Sequence, residues 1–600
     1  MSNDRTPDDP QRVYQTRLEF HESRRKSCDD LDARIAWGRL AVFALGAALA
    51  WLAFVADRIS GWWTVPAILS FLCLVVVHDR VIARRVRSER GIRFCREGMR
   101  RIQRDGLSDI DRGSRFQSPE HPYSDDLDLF GRGSVFSLIA TARTEAGEAT
   151  LAEWLKTPAS ASEITRRHDS ILELRKGTLL REELYILSED IVTGLDQDRI
   201  ALLAPPGVRF STPARIAGAG LFAILNTTTL IGWLAYDWGP TPAVISVILA
   251  LSFVAQGRTG LSTILDGVEQ SSDQLQKLAL VLRRIELERF ESEPLRDLRR
   301  RFDSNGSSPS STIEQLARLV SLLDSARNQL FAPIAGVLLW RTNIGFLIER
   351  WRRRYGDDAA QWIGALGEFE ALLSIAGFWW EHPEFVLPEI VSNGATFEAQ
   401  GLGHPLIPSG RVVTNDLALD ATLRLMIVSG SNMSGKSTLL RSVGVNAVLA
   451  LAGAPVSASR LRISPLSIGA SIHVRDSLQE GKSRFYAEIS RLKTLVSMAE
   501  TQPPLLFLVD EVLHGTNSHD RRIGTEAILG GLVDREAIGL VTTHDLAIAT
   551  VCDRLNGKAR NVHFEDHLED DEMVFDYRLR DGVVTRSNAL ALMRRVGLDV

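Results

Sequence analysis

Cysteine and lysine are both scarce in this chain. Cys28, Cys73, Cys95 and Cys552 are its only cysteines in 600 residues, with no CxxC pair and no zinc-type spacing. Four scattered thiols exclude a disulfide scaffold and a structural zinc site, and they fit a reducing compartment. Arg supplies nearly all the positive charge. Lys+Arg 70 against Asp+Glu 75 gives a formal net charge of -5. That excludes a chain-wide basic coat for nucleic acid, though not a local basic face. A hydrophobic share of 45% excludes a disordered chain. The length calls for three or four units at about 100–200 residues each.

The apolar residues are clustered. Leu40 to Ala56 is an uncharged run, and Ile59 to Val77 is a second, separated by Asp57 and Arg58. Each approaches the roughly 20 residues that cross a bilayer as a helix. Ile216 to Tyr236 and Ala243 to Ala255 repeat the pattern around Gly239-Pro240-Thr241-Pro242. Two helical hairpins are expected, over 37–78 and 214–256. The first run starts too late to be a cleaved signal peptide. Arg24, Arg25, Lys26, Arg34 and Arg39 precede the first hairpin, and Arg80, Arg84, Arg85, Arg87 and Arg90 follow it. Arg209, Arg215 and Arg258 flank the second. The positive-inside bias therefore puts both termini in the cytoplasm and both turns outside, in a multi-pass protein of the inner membrane. Trp62, Trp63, Trp233, Tyr236 and Trp238 lie near the turns, where interfacial aromatics belong. Cys73 faces lipid or core.

Between and after the hairpins the pattern is helical. Leu275, Leu278, Leu282 and Ile285 form one stripe, and Ile313, Leu316, Leu319, Val320 and Leu323 another. Ser311-Thr312-Ile313-Glu314 reads as a capping box. Leu330 to Trp340 is too short to span and reads as a buried helix. The N-terminal dozen residues and Ser114 to Asp126 read as mobile linkers.

The C-terminal third alternates strands and helices. The apolar run Leu423 to Val428 leads into Gly430-Ser431-Asn432-Met433-Ser434-Gly435-Lys436-Ser437, then Thr438. This is GxxxxGK[ST] between a strand and a helix, the context in which loop N–H groups cradle phosphate. Lys436 is expected to reach the β- and γ-phosphates of ATP, and Ser437 to ligate Mg²⁺. Leu505 to Val509 is a buried-strand run ending in Asp510 and Glu511. Asp510 is expected on the Mg²⁺ and Glu511 on the attacking water. Ile538 to Val541 ends in Thr542-Thr543-His544-Asp545, which brings a histidine toward the same site. The polar loop Asp476 to Glu488 offers Ser483 and nearby N–H groups to phosphate.

At these residues the chain resembles the MutS family. GSNMSGKST is similar to its P-loop, with Asn-Met inside, and DSLQEGKSRFYAE to its signature loop. DEVLHGTNSHD resembles its Walker B strand and following loop, with Gly515, Thr516, Asn517 and Ser518. TTHD is similar to its switch-histidine segment. Gly403-His404-Pro405 and Asn415-Asp416 resemble elements before the P-loop, and FDYRLRDGVVTRSNALALMRRVGL the end of the ATPase domain. Upstream, LDLFG, GSVFSLIATARTEAGEATLAEWLKTPA and RRHDSILEL look like the start of the core and lever.

The resemblance implies an ABC-type α/β P-loop ATPase domain over 391–600, preceded by an all-α core and lever over 126–390 that holds the second hairpin. Segments 1–36 and 79–125 are then an N-terminal cytoplasmic segment and a basic helix with linker. It implies a homodimer with composite ATP sites, in which Lys436, Ser437, Asp510, Glu511 and His544 face Ser483 of the second copy. It also implies DNA held between the arms, with mismatch repair as the family role. Three departures are visible. A membrane hairpin stands where the mismatch-reading domain is expected, and Phe20-His21-Glu22 mimics the reader only by coincidence. Val412 stands where the family often has an aromatic to stack on adenine. No nuclease or helix-turn-helix segment is expected after the ATPase. The alternative is an ATP-driven membrane switch or scaffold acting on a protein or lipid; a transporter is the weakest reading, because the signature loop is not LSGGQ-like.

Overall fold

A computed structural model of the chain describes residues 9–109, 111–188, 210–265, 268–269, 271–303, 306, 308–392, 394–431, 434–472, 484–513, 517–544, 546–555, 557–569 and 572–584. Two compact units are present: residues 1–105 with 178–189, and residues 106–177 with 190–600.

The first unit is built on a hairpin of two long helices, α1 (Pro10–Phe54) and α2 (Thr64–Gln103). Asp9 caps α1 through the Gln11 N–H, and Pro10 occupies the first turn, where no N–H is needed. Thus the helix begins inside the stretch expected to be a linker, because a cap and an N1 proline specify a start. Small residues let the helices approach. A Cβ on Gly91 would lie 2.5 Å from the His21 ring, and one on Gly98 2.3 Å from Tyr14. Glu182, on the helix Thr178–Ser188, accepts from Arg17 at 2.5 and 2.8 Å and contacts His21 Nε2 at 2.8 Å. Of Phe20-His21-Glu22, His21 packs inside this unit while Phe20 is exposed on the same helix.

In the second unit, which begins at residue 106, the end of the 114–126 stretch expected to be a linker is packed. Tyr123, Ser124 and Asp126 are buried, and Asp126 pairs with Arg491 at 2.6 Å. Then come α3 (Glu145–Lys156), α4 (Ala161–Leu174), α5 (Pro213–Ala235), α6 (Thr241–Gln256) and α7 (Arg258–Leu265). They are followed by α8 (Ser272–Glu286), α9 (Glu293–Phe302), α10 (Pro309–Ser325), α11 (Ala332–Val337) and the 42-residue α12 (Trp340–Glu381). The α8 stripe Leu275, Leu278, Leu282 and Ile285 is buried, as are Ile313, Leu316, Val320 and Leu323 of α10. The capping-box reading fails: α10 starts three residues earlier, with Ser308 at the N-cap position and Pro309 as its first residue, and Ser311 Oγ bonds back to the Ser308 carbonyl. Leu330 to Trp340 is not a buried helix either. It contains only the short α11, and Leu330 is 89% exposed.

The α/β region holds two sheets. One has β1 (Phe397–Leu402) between β2 (Asn415–Leu419) and a later strand, β4. The other is built on β3 (Leu425–Ser429), which enters α13 (Lys436–Ala452). Its chain continues through β4 (Arg460–Ile463, in the first sheet), β5 (Ser467–Ser471), α14 (Arg484–Met498), β6 (Leu505–Val509), α15 (Ser518–Asp534), β7 (Ile538–Thr543), β8 (Ala559–Glu569) and β9 (Glu572–Asp581). The order is β9-β8-β3-β7-β6-β5, parallel except for β8–β9. Parallel strands covered on both faces need continuous apolar runs, and LMIVS and LLFLV are fully buried. As in other open parallel sheets, the carboxyl ends of β3, β6 and β7 form the ligand edge.

Helix α13 ties this sheet to the helical region. Gly444 faces Leu127 from the helical side and Leu508 of β6, and a Cβ there would lie 2.5 and 2.7 Å from them. The α13 C-terminus is held by Arg167 Nη1, which donates to the Ala452 carbonyl at 2.9 Å. Gly444→Val overpacks this contact and is expected to cost about 1–3 kcal/mol, read as a lowered denaturant midpoint of the full chain. An unchanged midpoint would mean that Leu127 and Leu508 have room to spare.

Candidate nucleotide site

The site begins where β3 ends. Gly430 (φ 149) and Gly435 (φ 103) adopt backbone conformations that disfavour side chains, and this lets the loop curl over the first turn of α13. Lys436 is buried, and its Nζ donates to the carbonyls of Gly430 at 3.0 Å and Ser431 at 2.7 Å. Burial pulls its pKa below the ordinary lysine value, against the opposing pull of the Asp510 and Glu511 carboxylates. Ser431 Oγ is a buried polar atom without a partner among the described residues. Such an atom in a glycine-bent loop at a helix N-terminus fits a phosphate oxygen.

The acidic strand meets this loop across β7. Val541 lies opposite Val509, and Thr543 opposite Ser429. That register levels the ends of β3, β7 and β6. Ser437 Oγ donates to Asp510 Oδ2 at 2.6 Å. Thr542 Oγ1 donates to Asp510 Oδ1 and accepts from the Glu511 N–H at 3.0 Å. Glu511 has φ 54, the left-handed region that costs a non-glycine residue free energy. The Thr542 bond holds that turn. His544 Nε2 then lies 2.7 Å from Glu511 Oε1. Leu513, the next strained residue (φ 52), donates its N–H to the buried Glu488 of α14.

Lys436, Ser437, Asp510, Glu511 and His544 are thus within one cluster, although more than a hundred residues separate its ends. Ser437 and Asp510 supply the hydroxyl and carboxylate oxygens that a hard divalent cation takes. Thr438, Lys436, Ser437 and Glu511 line a cavity of about 400 Å³, walled on the far side by Ile407, Arg411, Val413, Asn415 and Tyr577. Val412 is not in that wall, because its side chain packs over Gly403. The position expected to meet a base is therefore taken by Val413, and the rings lining the cavity are Phe564 and Tyr577, the latter 3.0 Å from where a Gly435 Cβ would be. Asn415 fixes this hairpin, donating to the Tyr577 carbonyl at 3.0 Å and accepting from Leu579 N at 2.7 Å. Thr542, Tyr577 and Glu488 lay inside the TTHD, FDYRL and DSLQEGKSRFYAE strings without a role assigned to them, and Arg411 lay in no motif. Asn432, Met433, Gly515, Thr516 and Ser483 lie outside the described residues, as do residues 476–483 of the Asp476–Glu488 stretch and the end of the chain from residue 585.

His404, in the segment before the loop, is 9% exposed, and its Nδ1 accepts from Leu406 N at 3.3 Å. Burial first, and then Arg441, lower its pKa to about 4. The unfolded chain takes up a proton near the ordinary 6.5 that the folded chain refuses. Stability is therefore full above about 6.5 and is lost as pH falls toward 4. Denaturation from pH 7 to 5 is expected to show this loss at about 1 kcal/mol per pH unit. His404→Gln is expected to flatten the slope; an equally steep slope would assign it to other groups.

The comparisons with known proteins fall on this same region. The family model described as MutS domain V matches residues 426–599. Endonuclease MutS2 of Thermus thermophilus is 34% identical over 206 residues, covering 34% of this chain and 27% of the relative. DNA mismatch repair protein MSH3 of Phaeosphaeria nodorum is 30% identical over 258 residues, covering 40% and 23%. DNA mismatch repair protein MutS 2 of Halobacterium salinarum is 32% identical over 244 residues, covering 39% and 27%. The matched part thus spans only about a quarter of these curated relatives. The loop, the acidic strand and the histidine all lie within the matched residues, so this C-terminal region is a domain V of the MutS type.

Proposed function

We propose that this chain is a membrane-anchored MutS-like ATPase that binds and hydrolyses ATP as a homodimer and couples the cycle to DNA. The observation that carries the ATPase reading is the meeting of Lys436 and Ser437 with Asp510, Glu511 and His544 at the ends of three adjacent parallel strands. The DNA part rests on the relatives, two of which are named for DNA mismatch repair and one as an endonuclease.

In this reading the loop N–H groups and Lys436 bind the phosphates, and Ser437 with Asp510 holds Mg²⁺. Bound Mg²⁺ neutralises phosphate charge as the terminal group is transferred. Glu511 accepts a proton from the attacking water, and His544 orients the Glu511 carboxylate through the 2.7 Å contact. Ser483 from a second copy completes the site. Arg411, Val413 and Tyr577 flank the base side of the cavity.

The membrane part rests on α1, α2 with its leading turn, and α5. Each is long and apolar enough to cross a bilayer, and α6 with α7 joins them if that pair, bent by 63°, counts as one span. Their outer faces carry exposed Leu40, Phe43, Trp51, Leu69, Leu221 and Leu249. Apolar surface of this extent calls for lipid or another partner. The domain organisation follows: two hairpins in the inner membrane, with both termini, the helical region and the ATPase on the cytoplasmic side.

Glu511→Gln is expected to lower ATP turnover by about 10²-fold or more while retaining ATP binding, and Lys436→Ala to abolish binding. Near-normal turnover in Glu511→Gln would remove Glu511 from its role. Mismatched, duplex and single-stranded DNA are expected to stimulate turnover by the detergent-purified protein, with binding that weakens as salt rises. Turnover indifferent to every DNA, with no binding at low salt, would leave the ATP cycle acting on a protein or lipid instead. In sealed inside-out vesicles, added protease is expected to remove the ATPase domain; protection there would reverse the orientation.

A further inference from the structure

The segment between α10 and α12 does not behave as a soluble loop. From Asn328 to Trp340 it carries no charge, and its apolar residues Leu330 and Ile334 are 89% and 53% exposed. The stretch ends in charge on both sides. Arg327 and Arg341 both pair with Glu269, at 2.5 and 2.6 Å, so one carboxylate closes the neck of an uncharged loop.

The loop also has a defined depth along α5. Asn226 Nδ2 donates to the Val337 carbonyl at 3.1 Å. Asn226 is buried and its Oδ1 accepts from Ser246 of α6. At about 1.5 Å per residue, Asn226 lies about 20 Å from the Pro213 end of α5 and about 14 Å from the Ala235 end. The base of α5 is fixed by Glu349 of α12, which accepts from Phe210 N at 3.1 Å and Ser211 N at 2.6 Å. From Glu349 back to Val337 the chain therefore climbs from the start of α5 to its middle.

Much of its backbone finds partners within the chain. The Phe331 and Ala332 N–H groups donate to the Asn328 carbonyl, and Pro333 has none to place. Leu330 N donates to Asn328 Oδ1 at 2.9 Å. Where helices stop, side chains serve the carbonyls: Asn343 Nδ2 that of Leu338 at 2.9 Å, and Trp340 Nε1 that of Leu322 at 2.6 Å. Backbone polar groups at membrane depth have to be satisfied within the protein, and these bonds, with the Val337 carbonyl held against α5, meet that demand where they occur. Thirteen residues are also too few to cross, since a bilayer core is about 30 Å thick.

We propose that residues 328–340 form a re-entrant loop that dips into the lipid acyl chains beside α5 and leaves on the side it entered. The proposal rests on the reading of α5 and α6 as membrane spans. It gives the helical region a lipid contact at the head of the long α12, which runs on toward the ATPase region.

The test uses the full chain in phosphatidylethanolamine–phosphatidylglycerol vesicles. A photoreactive benzoylphenylalanine replaces Leu330, Ile334, Leu249 or Arg300, and lipid adducts are read by mass spectrometry. Leu249 reports the α6 span, and the exposed Arg300 of α9 reports the aqueous side. Adducts at 330 and 334 at the level of 249, with none at 300, are expected. Adducts at 249 but none at 330 and 334 would overturn the re-entrant loop while leaving the spans intact. No adduct at 249 would remove the spans, and the loop proposal with them.

Discussion

The burial of α13 is the constraint on which the rest of the α/β region depends. Almost every residue from Leu439 to Ala452 is buried, so this helix has no solvent face and is fixed from several directions. Gly444 lets Leu127 and Leu508 close on it, Arg167 holds its last carbonyl, that of Ala452, and the buried Asn446 binds Gly403 and Ser457. A helix clamped this way aims its N-terminal N–H groups and Lys436 at one point. Close packing transmits displacement, because a tightly filled interior has little room to absorb it. Whatever moves Leu127 or Arg167 in the helical region therefore presses on the phosphate end of the same helix.

The second fixed element is the Glu511 turn. Two non-glycine residues in the left-handed region follow the acidic strand: Glu511, in the site itself, and Leu513 just beyond it. Thr542 holds the first and Glu488 the second. Glu488 lies on α14 and is the last residue of the stretch that resembles the family's signature segment. The turn carrying the proposed water-polarising carboxylate is thus bonded to the helix carrying the segment proposed to meet the other subunit. Strain stored at such a turn persists only because the surroundings over-determine it.

Much of the fold was legible along the chain. The P-loop, the acidic strand and the histidine segment each consist of adjacent residues with a local periodicity, and each lies on the element expected. The amphipathic stripes of α8 and α10 were legible for the same reason. The capping box at Ser311 misled because Ser308 and Pro309 compete as a start, and a proline at N1 settles the register. Residues 114–126 looked like a linker because their polar composition hides Tyr123 and the Asp126–Arg491 pair, whose partners are hundreds of residues apart in sequence.

Sequence alone determined which chemical groups this protein has to offer: a phosphate-binding loop, two carboxylates and a histidine at strand ends, and long apolar runs. These signals are contiguous, so local spacing suffices to expose them. Only the tertiary structure decided what those groups meet. The order of β3, β7 and β6 brings Thr542 between Asp510 and Glu511, and the β8–β9 hairpin carries Tyr577 to the far wall of the cavity. It also leaves Leu330 outside the core, where composition had put it within. Strand order and helix packing join residues far apart in the chain, and no local pattern records that distance.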